Sequence, residues 1–242
     1  MNGVFAMRVN IFNMNIKKNG FTLVELIIAV AVGLLILTAV YASINMAQRS
    51  SASVGRKVVT QQDARSVLDL MAMEIRMASY NPTSTKSIWL SIPTAACASM
   101  GSFSPVNANI GIQTAAGTPN ANTIVIAMDL NADRIIGPPG TSEYIEYSYN
   151  GADTITRNVN CGNDQPILGG AGSATMVRNN AAGMSLFQYF DSNGAATTSI
   201  PAIRRIRITI VADTESNDNL TSKTRRMTYT TDVLVPNHAL SQ

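Results

Sequence analysis

Histidine and cysteine are almost absent from this 242-residue chain, which has one histidine and two cysteines. The histidine is His238, near the C-terminus, and Cys97 and Cys161 lie far from it and from each other. Zinc sites need several Cys or His side chains at short spacings, and catalytic triads need a histidine as the base. The sequence therefore excludes the usual zinc patterns and argues against an enzyme of the nucleophile–histidine type.

Charged residues are also scarce, because they make up 14% of the chain whereas hydrophobic residues make up 46%. The formal charge is +3, and three basic residues near the N-terminus contribute much of it: Arg8, Lys17 and Lys18. A later basic group consists of Arg204, Arg205, Arg207, Arg225 and Arg226. A solvated strand face is the simpler interpretation of that group, so nucleic acid is not expected as a partner.

One long apolar segment stands out at residues 21–41, FTLVELIIAVAVGLLILTAVY, in which Glu25 is the only charged residue. A helix of about 20 apolar residues can cross a hydrocarbon core of roughly 30 Å. Lys17 and Lys18 precede the segment, so the positive-inside rule leaves the leader in the cytoplasm and sends the following residues outward.

Three interpretations of this segment compete. A secretory signal would be cleaved at a small-residue site, which residues 40–42 provide, and a plain anchor would stay uncleaved. Neither interpretation accounts for the carboxylate of Glu25, which is costly inside a membrane unless it is paired or functional. The third interpretation comes from the residues around that carboxylate.

Residues 17–20 read KKNG and residues 21–25 read FTLVE, and together they resemble the processing site of type IV prepilins and pseudopilins. The resemblance implies that a membrane-embedded peptidase cuts after Gly20 and methylates the new amino terminus at Phe21. Glu25 would then pair with the amine of another subunit and fix its axial register, or complement the positive N-terminus of its own helix. Translation from Met14 instead of Met1 would give a shorter leader of the usual kind.

No proline precedes Pro82, so we expect one helix from Phe21 to about Tyr80 that ends because proline disfavours helical geometry in the residue before it. In its second half Leu68, Met71, Ile75 and Ala78 recur at helical spacing and form one apolar stripe. Residues 61–65 (QQDAR), 68–72 (LDLMA) and 74–80 (EIRMASY) resemble a second signature of PilW-like minor pilins, related to the pseudopilin J class of type II secretion.

Strand patterns follow the helix. Predicted strands cover residues 123–130, 143–149, 153–160, 185–190, 203–210 and 226–235, and a long loop covers 93–119. Asn150 and Gly151 form a hairpin turn signal. We therefore predict an α+β, pilin-like fold in which the long N-terminal helix packs on an antiparallel β-sheet head. The predicted segments are a cleaved leader (1–20), a transmembrane and assembly helix (21–42), a periplasmic stem (43–81) and a β-rich head (82–242).

Two smaller features of the head carry chemistry. Cys97 and Cys161 are expected to form a disulfide, because an exported domain folds in an oxidising compartment. Asp129, Asn131 and Asp133 supply the first, third and fifth oxygens of a calcium loop, although Arg134 stands where such a loop has glycine and Gly140 where it has glutamate. A polar turn is the alternative, and no other cofactor is expected.

By resemblance, the chain is a minor pilin of the PilW-like class that helps to prime a type IV pilus or sits at its tip, with no catalytic activity of its own. Its expected partners are the prepilin peptidase and methyltransferase, other minor and major pilins, and the inner membrane. It would cross that membrane once, with a periplasmic head, before it enters a pilus or pseudopilus. The alternatives are a minor pseudopilin of type II secretion and a membrane-anchored periplasmic binding protein or enzyme that does not polymerise.

Overall fold

A computed structural model of the chain describes residues 20–85, 88, 110–113, 119–136, 142–214 and 225–240. Its contacts divide the chain into two compact units, Met1–Gln48 and Arg49–Gln242. In the described part of the first unit, helix α1 begins at Leu23, and the helix continues to Arg76 in the second unit.

The second unit buries one face of α1. The buried residues of the helix are Thr60, Ala64, Val67, Leu68, Met71 and Ile75. They recur at intervals of three and four, which places them on one face of a helix with 3.6 residues per turn. The predicted apolar stripe is thereby confirmed, since all four of its members are buried.

Helix α1 ends earlier than the proline signal indicated. After Arg76 the chain tightens into shorter turns, in which Met77 and Ala78 each donate to the carbonyl three residues back. Ser79 has a φ of 64°, in the left-handed region that commonly ends helices, and its N–H donates to the carbonyl of Ala127 at 2.9 Å. A hydrogen bond to the sheet therefore takes the place of the next helical one, before Pro82 can act.

Two antiparallel sheets follow, where the sequence indicated a single sheet. The first has five strands in chain order: β1 (Ile112–Gln113), β2 (Thr123–Ala127), β3 (Tyr144–Tyr149), β4 (Thr154–Val159) and β5 (Gln165–Gly169). The predicted hairpin turn joins β3 to β4: Gly151 has a φ of 78°, and the Asn150 side chain accepts three backbone N–H groups across the turn.

The second sheet is built around one long strand. Its strands are β6 (Thr175–Val177), β7 (Phe187–Phe190), β8 (Arg205–Thr214) and β9 (Arg226–Leu234), and the short helix α2 (Pro236–Leu240) follows. Strand β9 pairs with the whole length of β8, whose other side pairs with β7 and then β6. The buried Asn179 side chain fills the gap between them, because its amide bonds both the carbonyl of Thr209 and the N–H of Val211.

A shared hydrophobic core joins the helix to both sheets. It contains Leu68, Met71 and Ile75 from α1 together with residues of both sheets. Ile126, Ile145 and Tyr147 come from the first sheet, and Ile206, Ile208 and Ile210 from the second. The α+β class predicted from the sequence is therefore confirmed, with a helix that packs against antiparallel strands.

Candidate functional site

The start of helix α1 is held by reciprocal hydrogen bonds between Thr22 and Glu25. The Thr22 N–H and hydroxyl both donate to the Glu25 carboxylate at 3.1 Å, and the Glu25 N–H donates to the Thr22 hydroxyl oxygen at 3.3 Å. This arrangement is a capping box, in which two backbone N–H groups at a helix start find side-chain acceptors. Glu25 thus has a specific role within its own chain, beyond a general attraction to the helix N-terminus.

The predicted cleavage junction lies directly before this cap. Gly20 and Phe21 precede the helix, and the Phe21 side chain is 89% exposed. A side chain added at Gly20 would meet no atom within 4 Å. The junction is thus open in the chain, while the cap fixes where the helix begins. The leader before residue 20 lies outside the described residues, as do both candidate start methionines.

The first unit presents an apolar helix surface on every side. An 18-residue window of α1 has a mean hydropathy of 2.8, and none of it is buried. Its exposed large side chains include Leu26, Ile27, Leu35 and Ile36, which point in different directions around the helix. A helix that is hydrophobic all round needs a hydrophobic environment, such as a bilayer or other helices. It is long and apolar enough to cross a membrane, which is consistent with membrane anchoring.

Of the two cysteines, Cys161 lies within the described residues. Cys161 is disulfide-bonded, it lies two residues after the end of β4, and its φ of 63° is left-handed. Cys97 lies outside the described residues, so the Cys97–Cys161 pairing stays a prediction.

The predicted calcium loop connects β2 to β3. Asp129 is fully buried, and one of its carboxylate oxygens, Oδ2, accepts the N–H of Arg134 at 3.3 Å. Asn131 and Asp133 are exposed, and the Asn131 amide donates to the Asp133 carboxylate at 2.8 Å. Within the described residues, no three His, Cys, Asp or Glu side chains already lie together as a metal cluster.

Sequence reasoning missed the acidic residue Glu143 beside this loop. Glu143 is fully buried at the start of β3, and its carboxylate accepts the N–H groups of Leu130 at 3.0 Å and Asn131 at 3.4 Å. It lies fourteen residues after Asp129, three more than the spacing that the calcium-loop pattern requires. Only the strand pairing of β2 with β3 could have indicated that it faces the loop.

Three of the five arginines in the basic group on the late strands form ion pairs. Asp232 forms ion pairs with Arg205 and Arg207, at 2.9 and 2.7 Å, and Asp213 forms one with Arg226 at 3.0 Å. Arg204 donates to backbone carbonyls instead. These contacts favour the interpretation of a solvated strand face.

A further ion pair, which the sequence did not reveal, connects α1 to the first sheet. The Glu74 carboxylate accepts two hydrogen bonds from the Arg157 guanidinium, at 2.6 and 3.1 Å, and a third from the Tyr147 hydroxyl. Burial and the hydrogen bond to Glu74 raise the pKa of Tyr147, and the same carboxylate raises the pKa of Arg157. Glu74 and Arg157 are 83 positions apart, so no local pattern could have paired them.

The single histidine lies in a buried hydrogen-bond chain near the end of α1. His238 Nε2 is 2.7 Å from the carbonyl oxygen of Ile200 and must donate to it, so Nδ1 accepts from the Ser79 hydroxyl at 2.9 Å. The N–H of Gly111 donates in turn to the Ser79 oxygen at 3.1 Å. Burial lowers the pKa of His238 to about 4, so the ring is neutral at physiological pH.

This contact is a serine–histidine pair, which the sequence had argued against, but its environment differs from that of a catalytic pair. His238 is 0% exposed and Ser79 is 2% exposed, so a substrate cannot reach the hydroxyl. Both ring nitrogens are also used in structural hydrogen bonds, whereas a catalytic base must be free to accept a proton from its nucleophile. The pair therefore serves to fasten the C-terminus to the helix end.

Comparisons with known proteins agree with the geometry at the helix start. Residues 15–41 match the prokaryotic N-terminal methylation motif, which spans the junction, the cap and the apolar segment. No curated protein matches the sequence. Among solved structures, a type IV-like pilin from Thermus thermophilus is similar at 11% identity and a TM-score of 0.40, over 74% of this chain and 98% of that one. That score is too low to support an argument from structural likeness.

The remainder of the chain matches a second family. Residues 54–233 match the family described as prepilin peptidase-dependent protein B, and this range covers more than half of the 242 residues. The two matches together cover the junction, the apolar segment, most of the buried half of α1 and nearly all of both sheets. The chain therefore belongs to the prepilin peptidase-dependent protein B family, with a type IV prepilin methylation motif at its N-terminus.

Proposed function

We propose that this protein is a minor pilin that takes part in type IV pilus assembly, in a complex that primes the pilus or sits at its tip. The observation that carries the proposal is the open Gly20–Phe21 junction, which is followed at once by a capped helix with an exposed apolar segment in which Glu25 is the only charged residue. The methylation motif and the family match support it. The protein would be a substrate of the prepilin peptidase and methyltransferase, and would itself catalyse no reaction.

Membrane residence follows from the same segment. The apolar half of α1 would anchor the chain in the inner membrane until assembly extracts it, since its exposed side chains need lipid or other helices around them. Lys17 and Lys18 favour a cytoplasmic leader, which would put the β-rich head in the periplasm. A bilayer and a bundle of helices would each cover the apolar surface of this half of α1.

The proposed assembly role of Glu25 depends on the carboxylate oxygen that the cap does not use. All hydrogen bonds from Thr22 go to one carboxylate oxygen, Oε2, and within the described residues Oε1 accepts none. Cleavage would create a positive amine on Phe21, and a carboxylate in a low-dielectric bundle strongly favours such a partner. The cap would hold Glu25 in place while Oε1 pairs with the amine of a neighbouring subunit, and that pairing would fix the axial register.

The proposed partners are other minor pilins and the major pilin. The test is crosslinking in intact cells, followed by capture of the tagged full-length chain from detergent extracts. Minor pilins and pilus assembly proteins should be recovered, and they should be lost from a Gly20→Leu variant that blocks processing. Recovery of type II secretion components alone would assign the protein to a pseudopilus and contradict the proposal.

A further inference from the structure

The buried carboxylate of Asp129 is the least satisfied charged group in the described head. The side chain is fully buried, and its Oδ1 atom has no hydrogen-bond partner among the residues that the structure describes. A buried carboxylate is stable only if other groups compensate its charge, and an unpaired one strongly disfavours the folded state. Neither a basic side chain nor a backbone donor among the described residues performs that role for Oδ1.

The position of that oxygen shows where a compensating cation would lie. Oδ2 of the same carboxylate accepts the N–H of Arg134, five residues along the chain, so the group projects into the loop that its own residue begins. Glu143, also fully buried, accepts two N–H groups of the same loop, those of Leu130 and Asn131. Two buried carboxylates therefore adjoin one short loop, and each adds negative potential at that point.

The loop backbone compensates for the missing glycine of the sequence pattern. Arg134 occupies the sixth position, where calcium loops have glycine for a sharp turn, yet its φ is 69°. Ala132, at the fourth position, is also left-handed, with a φ of 64°. Residues other than glycine, asparagine and aspartate seldom adopt left-handed backbone angles. The loop therefore has the sharp turn of a calcium loop although it lacks the glycine that usually makes it.

We propose that this loop binds one calcium ion. The ligands would be the side-chain oxygens of Asp129, Asn131 and Asp133 and the carbonyl of Ile135, at positions 1, 3, 5 and 7, with water completing the shell. The buried carboxylate of Glu143 holds the loop backbone and adds negative charge. Calcium accepts such irregular sets of oxygens, whereas magnesium requires near-octahedral geometry at shorter distances.

The affinity is expected to be moderate. The exposed Asp133 carboxylate accepts hydrogen bonds from Asn131 and Ile135, so binding must first break the contact with the Asn131 amide. No bidentate glutamate stands at position 12 of the loop. Sites of extracellular proteins with few charged ligands have dissociation constants of about 10⁻⁴–10⁻³ M, and this loop should fall in that range. Bound calcium would join the β2–β3 connection to the end of α1, because the Asp129 N–H already donates to the carbonyl of Tyr80 at 2.9 Å.

The test uses the full-length chain in mild detergent, stripped with a chelator and titrated with calcium chloride in a calorimeter. One equivalent should bind with a dissociation constant of about 10⁻⁴–10⁻³ M, and magnesium at the same concentrations should not replace it. An Asp133→Asn variant, which changes an exposed residue, should fold normally and bind at least about tenfold more weakly, because ligand charge sets the affinity. Asp129→Asn should abolish binding.

Asp191→Asn is the matched control. Asp191 also accepts two backbone N–H groups in a turn, at 2.8 and 2.9 Å, but it is only partly buried, and Ala195 stands where the loop at Asp129 has the carboxylate of Asp133. This variant should bind calcium as the wild type does. No saturable binding below about 10 mM, or equal binding by wild type and Asp133→Asn, would overturn the proposal. If Asp129→Asn fails to fold, the Asp133→Asn result decides.

Discussion

The Glu74–Arg157 pair should contribute far more to stability than the surface ion pairs of the same protein. Its side chains are 13% and 21% exposed, and the carboxylate accepts two guanidinium hydrogen bonds and the hydroxyl of Tyr147. Removal of one partner from a buried pair leaves the other charge without compensation, which typically costs about 3–5 kcal/mol. Because this pair keeps some contact with water, we expect Arg157→Met to lower the free energy of unfolding by about 2–4 kcal/mol.

A double-mutant cycle separates the interaction from the loss of packing. Glu74→Gln, Arg157→Met and the double variant should give a coupling free energy of about 1.5–3 kcal/mol, the range for hydrogen bonds to charged groups. The matched control is the Arg207–Asp232 pair, which has the same two-fold hydrogen bonding but side chains that are 37% and 35% exposed. Its coupling free energy should be clearly smaller, because water screens the charges of two exposed side chains.

The free energies of unfolding for both cycles would be measured by thermal unfolding of the full chain in detergent, monitored by near-ultraviolet circular dichroism. For a unit of this size, 1 kcal/mol corresponds to a shift of about 2–4 °C in Tm, so Arg157→Met should unfold several degrees below Asp232→Asn. Equal coupling free energies for the two pairs would refute the reasoning, because burial is the feature that distinguishes them.

The remaining predictions concern pH, oxidation and processing. Burial lowers the pKa of His238 to about 4, below the value of about 6.5 in the unfolded chain. The free energy of unfolding should therefore be unaffected by this histidine above pH 6.5 and should fall by about 3 kcal/mol as the pH drops towards 4, because the unfolded chain binds the proton first. Burial also raises the pKa of Glu146 to about 7, with the opposite effect, so the measure is the difference between wild type and His238→Gln across this range. Thiol titration of denatured, unreduced protein should find no free thiol at Cys97 or Cys161, whereas two free thiols would disprove the disulfide. Mass spectrometry of the membrane-extracted protein should show a mature chain that begins at Phe21 with one added methyl group; a start after the apolar run would indicate a secretory signal.

Local sequence patterns were sufficient for the elements that have a strong period or turn chemistry. The apolar stripe on α1 and the Asn150–Gly151 hairpin were both predicted, because helical spacing and a left-handed glycine turn are encoded within a few residues. Strand β9 was also predicted almost to its ends, at Arg226–Leu234.

Short strands and distant contacts were not predictable in the same way. Strand β1 has two residues and β6 has three, too few to show a period, and β5 contains Pro166, which weakens a strand signal. The number of sheets depends on which distant segments pair with each other, and local sequence patterns do not predict that pairing. The His238–Ser79 contact spans 159 positions and likewise depends on how the helix end meets the C-terminus.

The capping box of Thr22 and Glu25 was not predicted, although its sequence signal is local. Thr22 and Glu25 have the spacing that defines the motif, so the sequence contained the signal. Glu25 is the only charge in an apolar segment, and that feature indicated pairing between chains rather than a cap within one chain. The structure adds a contact within the chain through Oε2, and the proposed assembly role would use Oε1 of the same carboxylate.

The central claim, that the charge of Glu25 serves assembly while its hydrogen bonds serve the helix start, is tested most directly by three variants. Glu25→Gln removes the charge but keeps a side chain that can complete a capping box, Thr22→Ala removes the cap but keeps the charge, and Glu25→Ala removes both. All three should be checked for a mature start at Phe21, and crosslinking to other pilins should then be measured. The account predicts that both Glu25 variants lose the crosslinks and that Thr22→Ala largely keeps them. Normal crosslinking by processed Glu25→Gln, with loss in Thr22→Ala, would show that Glu25 acts only as a helix cap.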